Sequence, residues 1–319
     1  MTHVLVTGAA GFIGSHVAEA LLARGDRVVG VDELNTFYDP RLKEENLGPL
    51  LAERHFTFFR GSILDEGVRQ SALACGPFDA VVHLAAWAGV RPSIERPAHY
   101  QRENVEATTL LLDDIRRAPG PMPRFVFASS SSVYGGNTVV PFREDHDVSS
   151  PVSPYAASKR AGELIVATFH HLYGIPSSSL RFFTVYGPRQ RPEMAIHMFG
   201  RRILDDQPIP MFGDGSTSRD YTYIDDITDG VVAAVDKTTG CRIYNLGNSH
   251  PIRLDVLIEK IGRALQKTPR VDRRPMAPGD VEITYADVSR AAAELGYAPK
   301  VDIDEGLARF ARWLVTRPR

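Results

Sequence analysis

The chain has 319 residues, a length that suggests about two domains. With 43% hydrophobic and 24% charged residues it has an ordinary globular composition, which argues against disorder and collagen-like structure. Its 37 basic and 39 acidic side chains give a formal charge of −2, so we expect no overall attraction for nucleic acid or for an anionic membrane.

The two cysteines, Cys75 and Cys241, lie far apart, which argues against a disulfide framework or a cysteine-based zinc site and fits a reducing compartment. No run of about 18 apolar residues is present, and the first residues lack the pattern of a secretion signal. We expect His83, His170, His171 and His197 to be structural, since no two of them form a metal-like i,i+4 histidine pair with a carboxylate, and we expect no metal. The sequence predicts a soluble cytoplasmic protein and favours an enzyme.

Short apolar runs alternate with longer amphipathic segments along the chain. Buried strands are predicted at residues 4–7, 27–31, 80–84, 124–128, 177–183 and 242–246. Helices are predicted at residues 13–23, 66–75, 100–118, 154–173, 254–265 and 303–314. This alternation predicts an α/β fold with a doubly wound parallel sheet. The last third is richer in Pro, Gly and charge, and predicts a smaller C-terminal α/β lobe.

A glycine-rich turn follows the first predicted strand. Gly8, Gly11 and Gly14 stand between a strand and a helix, where glycines permit a tight turn and close approach of a pyrophosphate. The helix N-terminus then presents N–H groups to the phosphates. Asp32 follows the second predicted strand, where a carboxylate accepts from a ribose 2′-hydroxyl and repels a 2′-phosphate, and Glu33 adds to that repulsion. The sequence therefore predicts a Rossmann-type site and favours NAD over NADP, although either feature alone also occurs in turns without function.

Tyr155 and Lys159 are four residues apart and share one face of a predicted helix. A tyrosine is a poor base at neutral pH, because its ordinary pKa is about 10. A nearby ammonium and the positive nicotinamide ring of NAD would both favour the phenolate, giving a general base for an alcohol that is being oxidised. Such a pair by itself is mostly a surface feature, but here a dinucleotide turn lies upstream and the serines at residues 129–132 end the intervening strand.

Together these motifs resemble the extended short-chain dehydrogenase/reductase superfamily over nearly the whole chain. The resemblance implies that Tyr155 is the base, that Lys159 also holds the nicotinamide ribose, and that Ser130 orients the substrate O4. It implies further cofactor contacts from Phe12, Ile13, Ser62, Ile63, Leu84, Ala85 and Ala86, with Asn104 supporting the active-site backbone. The match is weaker at Ser62, where the family usually has Asp.

Three features, residues 88–93, residues 181–195, and residues 276–281 with 286–288, resemble nucleotide-sugar epimerases that act on a uronic acid, the UDP-glucuronate 4-epimerases. The resemblance implies that Arg219 and Thr184 bind the diphosphate of a UDP-sugar. It also implies substrate contacts from Arg91, Met194 and Asp280. Ala277 replaces a common Gln, so the resemblance leaves the uridine contacts open.

The chemistry of such a substrate calls for a grip on its carboxylate. Removing a hydride and a proton at carbon 4 of glucuronate gives a β-keto acid, which loses carbon dioxide when the carboxylate aligns with the carbonyl π-system. An epimerase must therefore hold the carboxylate out of that alignment. Ser131, Ser132 and Arg191 are donors suited to hold it.

We expect residues 1–185, with a returning segment near residues 220–248, to bind NAD, and residues 186–319 to bind mainly the nucleotide sugar. By resemblance, the helices at residues 100–118 and 154–173 pair across a two-fold axis in a homodimer.

A UDP-glucose/UDP-galactose 4-epimerase and a UDP-glucuronate decarboxylase stay open as alternatives. A 4,6-dehydratase is rejected, because Ser131 and Ser132 stand where it needs an acid and a base. A redox-sensing binding protein would not need Ser130, Tyr155 and Lys159, all of which are present.

Overall fold

A parallel sheet of seven strands is the centre of this computed structural model, which describes residues 1–275 and 282–317. The described strands, in chain order, are β1 (His3–Thr7), β2 (Arg27–Asp32), β3 (Phe56–Arg60), β4 (Ala80–His83), β5 (Arg124–Ser130), β6 (Ser177–Phe182), β7 (Thr184–Tyr186), β8 (Ile209–Phe212), β9 (Ser218–Tyr223), β10 (Cys241–Leu246), β11 (Pro251–Arg253), β12 (Val271–Arg274) and β13 (Ile283–Thr284). The central sheet has the order β10-β6-β5-β4-β1-β2-β3.

The helices cover both faces of this sheet. In chain order they are α1 (Phe12–Ala23), α2 (Pro40–Leu51), α3 (Glu66–Leu73), α4 (Val90–Glu95), α5 (Pro97–Tyr100), α6 (Ala107–Arg117), α7 (Pro154–Tyr173), α8 (Ala195–Leu204), α9 (Ile224–Lys237), α10 (Leu254–Ala264), α11 (Ser289–Leu295) and α12 (Ile303–Val315). A π-helical stretch, Gln101–Glu106, joins α5 to α6, so the continuous helix predicted at residues 100–118 is wrong in detail. No described helix is both long enough and apolar enough to cross a bilayer.

Alternation along β1 explains the two layers of helices. Val4 and Val6 pack in one apolar cluster with α1 and α9, whereas Leu5 packs in another with α3, α6 and α7. All three side chains are almost fully buried, as expected for a parallel strand that is covered on both faces. The structure thus confirms the predicted doubly wound α/β fold. β2 and β3 lie on one side of β1, and β4 and the later strands lie on the other, so the strand order reverses between β1 and β4. Such a switch point opens a crevice at the carboxyl ends of the strands.

Among the described residues, the C-terminal part adds two small sheets and the packed helices α8, α10, α11 and α12. In one sheet β9 pairs with β7, β11 and β13, and in the other β8 pairs with β12. Side chains of α8, α10 and α12 join the apolar cluster that also contains Val4 of β1. The strand predicted at residues 242–246 is present as β10, which pairs in parallel with β6 at one edge of the central sheet. The core is therefore continuous from the first strand to α12.

Candidate active site

A cavity of about 580 Å³ opens at the carboxyl ends of β1, β2, β4 and β5. Most of the residues predicted from the sequence line it: Gly8, Gly11, Phe12, Ile13, Gly14, Asp32, Ser62, Ile63, Leu84, Ala85, Ala86, Arg91, Ser130, Ser131, Ser132, Tyr155, Lys159, Thr184, Arg191, Met194 and Arg219. Asn104 is buried behind the wall of the cavity, and Asp280 lies outside the described residues. The structure therefore brings predicted cofactor and substrate residues to one cavity.

The glycine turn lies against the loop after β4. Gly8 has a φ of +73°, and a Cβ atom added there would lie 2.8 Å from the backbone nitrogen of Ala85. A Cβ atom on Gly14 would collide with the carbonyl oxygen of Gly8. α1 begins after Gly11, and no side chain in the described part of the protein caps that terminus. This close-packed turn and its open helix N-terminus fit a pyrophosphate.

Asp32 lies at the end of β2 and is only 6% exposed. Its carboxylate accepts hydrogen bonds from the backbone N–H groups of Ala10, at 3.1 Å, and Leu34, at 2.8 Å. The ammonium of Lys43 lies 3.5 Å from the same carboxylate and donates to Asn35 at 3.0 Å. The carboxylate is thus fixed in the cavity wall, where a ribose hydroxyl would meet it.

Lys43 and Asn35 also line the cavity, and neither was predicted from the sequence. They lie on α2 and on the loop before it, and they meet Asp32 only when α2 folds back over the end of β2. The sequence signal was weak, because a lysine on an amphipathic helix is ordinarily a solvated residue. Its burial, at 6% exposure, distinguishes Lys43 from an ordinary surface lysine.

A buried histidine, His83 at the end of β4, fixes the part of the cavity wall that contacts the glycine turn. The hydroxyl of Thr108 donates to the carbonyl of Asn104 at 2.6 Å, so it accepts from Nε2 of His83 at 3.0 Å. Nδ1 of His83 therefore accepts from the Thr7 hydroxyl, at 2.7 Å, which itself accepts from the backbone N–H of Ala85. Burial, together with the charge of Lys159, lowers the pKa of His83 to about 3, so the ring stays neutral. His83 is a structural residue, as the sequence analysis expected.

Asn104 lies in the π-helical stretch and joins two parts of the wall. Its amide exchanges two hydrogen bonds with the backbone of Trp87, at 2.8 and 2.9 Å, and donates to the hydroxyl of Ser158 at 2.9 Å. Ser158 in turn donates to the carbonyl of Tyr155 at 2.8 Å. Asn104 thus acts on the backbone beside Tyr155 and does not itself line the cavity, and single-turn π-helices of this kind are frequent at functional sites.

The hydroxyl groups of Ser130 and Ser132 line the cavity together with the phenol of Tyr155. Both the hydroxyl and the backbone N–H of Ser132 donate to Oγ of Ser130, at 2.9 and 3.2 Å. Since Ser130 accepts these two bonds, its own proton is free for another acceptor, and Ser130 is near enough to Tyr155 to act on the pKa of that phenol. Ser131 lies between them in sequence and begins a 3-10 turn at the cavity wall. The geometry places a phenol and a hydroxyl donor side by side.

Burial dominates the protonation of Tyr155 and Lys159. It raises the pKa of Tyr155, while the hydrogen bond from Ser130 and the charge of Arg191 act in the opposite direction. It also lowers the pKa of Lys159 to about 7. The expected acidification of the phenol by the lysine is therefore not found in the protein's own groups. The ammonium instead donates to the carbonyl of Ala128 at 2.6 Å.

Helix α7, which carries Tyr155 and Lys159, is attached to the sheet by a buried ion pair. The carboxylate of Glu163 accepts two bonds from Arg181 of β6, at 2.8 and 2.9 Å, and one from Ser129 of β5, at 2.6 Å. Glu163 and Arg181 are 3% and 1% exposed. Burial alone would raise the pKa of Glu163, but the bonds and charge of Arg181 hold it below its ordinary value. Neither residue was predicted as functional, and both act on the position of α7.

Four of the predicted substrate residues, Arg91, Thr184, Met194 and Arg219, come from four separate segments. Arg91 lies on α4 with its guanidinium 5.3 Å from the ring centre of Phe212. Thr184 begins β7, Met194 precedes α8, and Arg219 lies on β9 and donates to a neighbouring carbonyl at 2.9 Å. The first of these residues follows β4 and the other three follow β6 in the chain, so segments after β6 contribute to the cavity wall.

Residues 4–247 match the sequence profile of the NAD dependent epimerase/dehydratase family. The chain belongs to this family. It is 44% identical to UDP-glucuronate 4-epimerase 3 of Arabidopsis thaliana over 328 residues, which cover 97% of this chain and 76% of that protein. It is 42% identical to the UDP-glucuronate 4-epimerase of Thermodesulfobacterium geofontis (strain OPF15) over 314 residues, which cover 98% of this chain and 96% of that protein.

A solved structure is similar over almost the whole length of both chains. The crystal structure of UDP-glucuronic acid 4-epimerase from Bacillus cereus, in complex with UDP-glucuronic acid and NAD, has a TM-score of 0.91 and 35% identity. The match covers 98% of this chain and 99% of that chain. Together with the sequence comparisons, it confirms the predicted class, a nucleotide-sugar epimerase of the extended short-chain dehydrogenase/reductase type.

The glycine turn yields a test of the cofactor site. Gly14→Ala places a methyl group against the Gly8 carbonyl, so the turn must open. We expect the variant to lose most of its copurified NAD and about 1–3 kcal/mol of stability. Nucleotide released on denaturation and urea unfolding measure the two effects. The matched control is Gly48→Ala in α2, where a Cβ meets nothing within 4 Å. Retention of NAD by Gly14→Ala at the control level would contradict this assignment.

Proposed function

We propose that this protein is an NAD-dependent UDP-glucuronate 4-epimerase, which interconverts UDP-glucuronate and UDP-galacturonate through a 4-keto intermediate with tightly bound NAD. One geometric observation carries the proposal. The phenol of Tyr155 and the hydroxyl of Ser130 line the same cavity as the glycine turn and Arg191. The 42–44% identity to proteins named as UDP-glucuronate 4-epimerases supports this choice of sugar.

The fit of the glycine turn and of Asp32 supports NAD as the cofactor. Gly8, Gly11 and Gly14 would hold the pyrophosphate at the N-terminus of α1, and Asp32 the adenosine ribose. We propose that Phe12, Ile13, Ser62, Ile63, Leu84, Ala85 and Ala86 line the rest of the cofactor path. NAD, when bound, would accept the hydride that leaves carbon 4 of the sugar. Its positive ring would also favour the phenolate of Tyr155, which the protein's own groups disfavour.

The residues of the chain move the proton and hold the sugar. Tyr155 takes the proton from the O4 hydroxyl, and Ser130, which Ser132 orients, donates to the same oxygen. Lys159 lies one turn farther along α7, where we propose that it holds the nicotinamide ribose. Arg219 and Thr184 would hold the diphosphate while the keto sugar turns its other face, with Arg91 and Met194 completing the pocket.

Ser131 and Arg191 are proposed to hold the uronate carboxylate. Ser132 was grouped with them from the sequence, but both of its donors are used on Ser130, so we assign it to positioning that hydroxyl. A guanidinium and a hydroxyl bind the charged carboxylate and oppose its loss as carbon dioxide. The residues are therefore arranged for epimerisation with the carboxylate retained.

We further propose the two-part division that the sequence suggests. Residues 1–185, with the returning segment near 220–248, would bind NAD, and residues 186–319 mainly the UDP-sugar; this use of the C-terminal part is supported by Met194 and Arg219 at the cavity. A cytoplasmic location is proposed as well, and the free thiols of Cys75 and Cys241 support it.

A homodimer is proposed from the outer face of α7. Leu164 and Leu172 are 52% and 59% exposed and lie two turns apart on one side of the helix. The adjacent Tyr173 carries the guanidinium of Arg116 of α6 at 4.7 Å, so α6 and α7 present one surface. Exposed leucines on the outer side of one long helix suit an isologous contact between two copies.

The activity is tested with purified enzyme, UDP-glucuronate and no added reductant or oxidant. We expect UDP-galacturonate to accumulate to an equilibrium mixture, as chromatography of the nucleotide sugars would show. A UDP-pentose as the main product would identify a decarboxylase, and turnover of UDP-glucose alone a neutral-sugar epimerase. Either result, or no turnover of UDP-glucuronate, would contradict the proposal.

Removing the phenolic oxygen tests the base. Tyr155→Phe is expected to lower kcat by about 10²–10⁴-fold, the usual contribution of a positioned acid–base group, while NAD stays bound. The control is Tyr173→Phe, the same change at an exposed position of the same helix. Full turnover by Tyr155→Phe would exclude Tyr155 as the base.

The carboxylate grip is tested by the product ratio. Ser131→Ala or Arg191→His should increase UDP-pentose relative to UDP-galacturonate, because a loosely held carboxylate aligns with the keto group and is lost. Chromatography of both products measures the ratio, with exposed Ser149→Ala as control. An unchanged ratio in both variants would count against the assignment of these residues.

The dimer is tested by sedimentation equilibrium. We expect the wild type to sediment as a dimer and Leu172→Glu as a monomer, since a charge at that position cannot be buried without a partner. Val315→Glu, at a site on α12 that is similarly exposed at 57%, should remain dimeric. A monomeric wild type would refute the proposed interface.

A further inference from the structure

The segment at residues 187–194 is fixed to the helix that begins the cofactor site. Arg189 has a φ of +67° and donates to the hydroxyl of Ser15, at 3.2 Å, and to the carboxylate of Glu19, at 2.7 Å, both on α1. The next residue, Gln190, is 2% exposed and accepts from the backbone N–H of His197 at 3.1 Å. Arg191 is therefore presented to the cavity by a backbone that is held on both sides.

The guanidinium of Arg191 is only partly satisfied. It lies 5.6 Å from the ring centre of Phe37, and its Nε is 2.8 Å from Oε1 of Glu193. This contact is an ion pair without hydrogen-bond alignment, since Nε is among the buried polar atoms of the described chain that have no hydrogen-bond partner. A buried N–H donor of this kind gains free energy when a well-aligned acceptor arrives.

Glu193 is a readily displaced partner. Its side chain is 43% exposed, whereas that of Arg191 is 22% exposed. A carboxylate at this exposure can turn to water at small cost, because ion pairs near the surface contribute only about 0–1 kcal/mol. It lies two residues from Arg191 in the same segment, so it stays within reach when the pair opens.

We propose that Glu193 is a specificity-determining residue, which occupies Arg191 until a carboxylate of the substrate displaces it; this rests on the proposed function. A uronate sugar must separate Arg191 from Glu193 before it binds the guanidinium. A neutral sugar brings no competing anion, so the ion pair persists in its complex. Glu193 thus lowers the affinity for a UDP-uronate and leaves the affinity for a neutral UDP-sugar unchanged. The difference in affinity between the two ligands, which Arg191 creates, is therefore smaller than it would be without Glu193.

Glu193→Gln tests the sign of this effect. The variant removes the competing charge and keeps the size of the side chain. We expect the Kd of UDP-glucuronate to fall about two- to fivefold, the equivalent of a surface ion pair, and the Kd of UDP-glucose to stay unchanged. Glu193→Asp, which keeps the charge, should remain nearer to the wild type than Glu193→Gln.

The measurement is titration calorimetry of the NAD-loaded enzyme with UDP-glucuronate and, separately, UDP-glucose. Glu305→Gln is the matched control, because Glu305 forms a similarly exposed pair with Arg309 outside the cavity. An unchanged or weaker affinity of Glu193→Gln for UDP-glucuronate, or an equal gain for both sugars, would overturn the inference. Glu193 would then orient Arg191 or be a bystander.

Failure of this inference is distinguishable from failure of the proposed function. The function fails if the wild type does not convert UDP-glucuronate to UDP-galacturonate. The inference fails if the ratio of the two Kd values is the same in the wild type and in Glu193→Gln. The binding measurement needs no turnover, so it decides the role of Glu193 in either case.

Discussion

The attachment of α7 to β5 by buried polar groups is the constraint on which the site depends. On successive turns of α7, Lys159 donates to the carbonyl of Ala128, and Glu163 accepts from Ser129 and from Arg181 of β6. Breaking one partner of such a buried charge pair commonly costs about 3–5 kcal/mol, because the other charge is left uncompensated. The rotation of α7 is thus fixed, and with it the direction in which Tyr155 points.

The same burial creates the electrostatic problem of the site. A phenol removed from water is a weaker acid, and an ammonium removed from water is a stronger acid, so burial raises the pKa of Tyr155 and lowers the pKa of Lys159. Within the protein, Ser130 and Arg191 oppose the first of these changes. Arg191 therefore belongs to the electrostatics of proton removal as well as to the proposed grip on the carboxylate. Arg191 can take part in both because it lines the same cavity as Tyr155.

The sequence predicted those features that depend on short spacing. Gly8, Gly11 and Gly14 lie within one turn and the start of its helix, and Tyr155 and Lys159 lie on one helical face, so local geometry determines their meaning. Contacts between distant segments were missed. The pair Lys43–Asp32 requires α2 to fold over β2, and spacing in the sequence carries no such information.

The expectation for the acidity of Tyr155 concerned the site with NAD bound, and the protein's own groups alone do not supply that acidity. The expectation considered the charge of Lys159 and not the depth at which both groups are buried, and depth is a property of the assembled core. The π-helical turn around Asn104 was also missed, because a helical pattern in the sequence does not reveal one extra residue in a turn. Asp280 lies outside the described residues, so its predicted contact stays a prediction.

The late position of β10 in the chain has a consequence for folding during synthesis. β6 is made well before β10, so a nascent chain that has emerged only to residue 240 leaves the outer edge of β6 without its hydrogen-bond partner. Bare edges of this kind promote pairing between molecules. The first half of β6 consists of Ser177, Ser178 and Ser179. These small polar side chains offer little apolar surface to a second nascent chain, which disfavours aggregation through this edge.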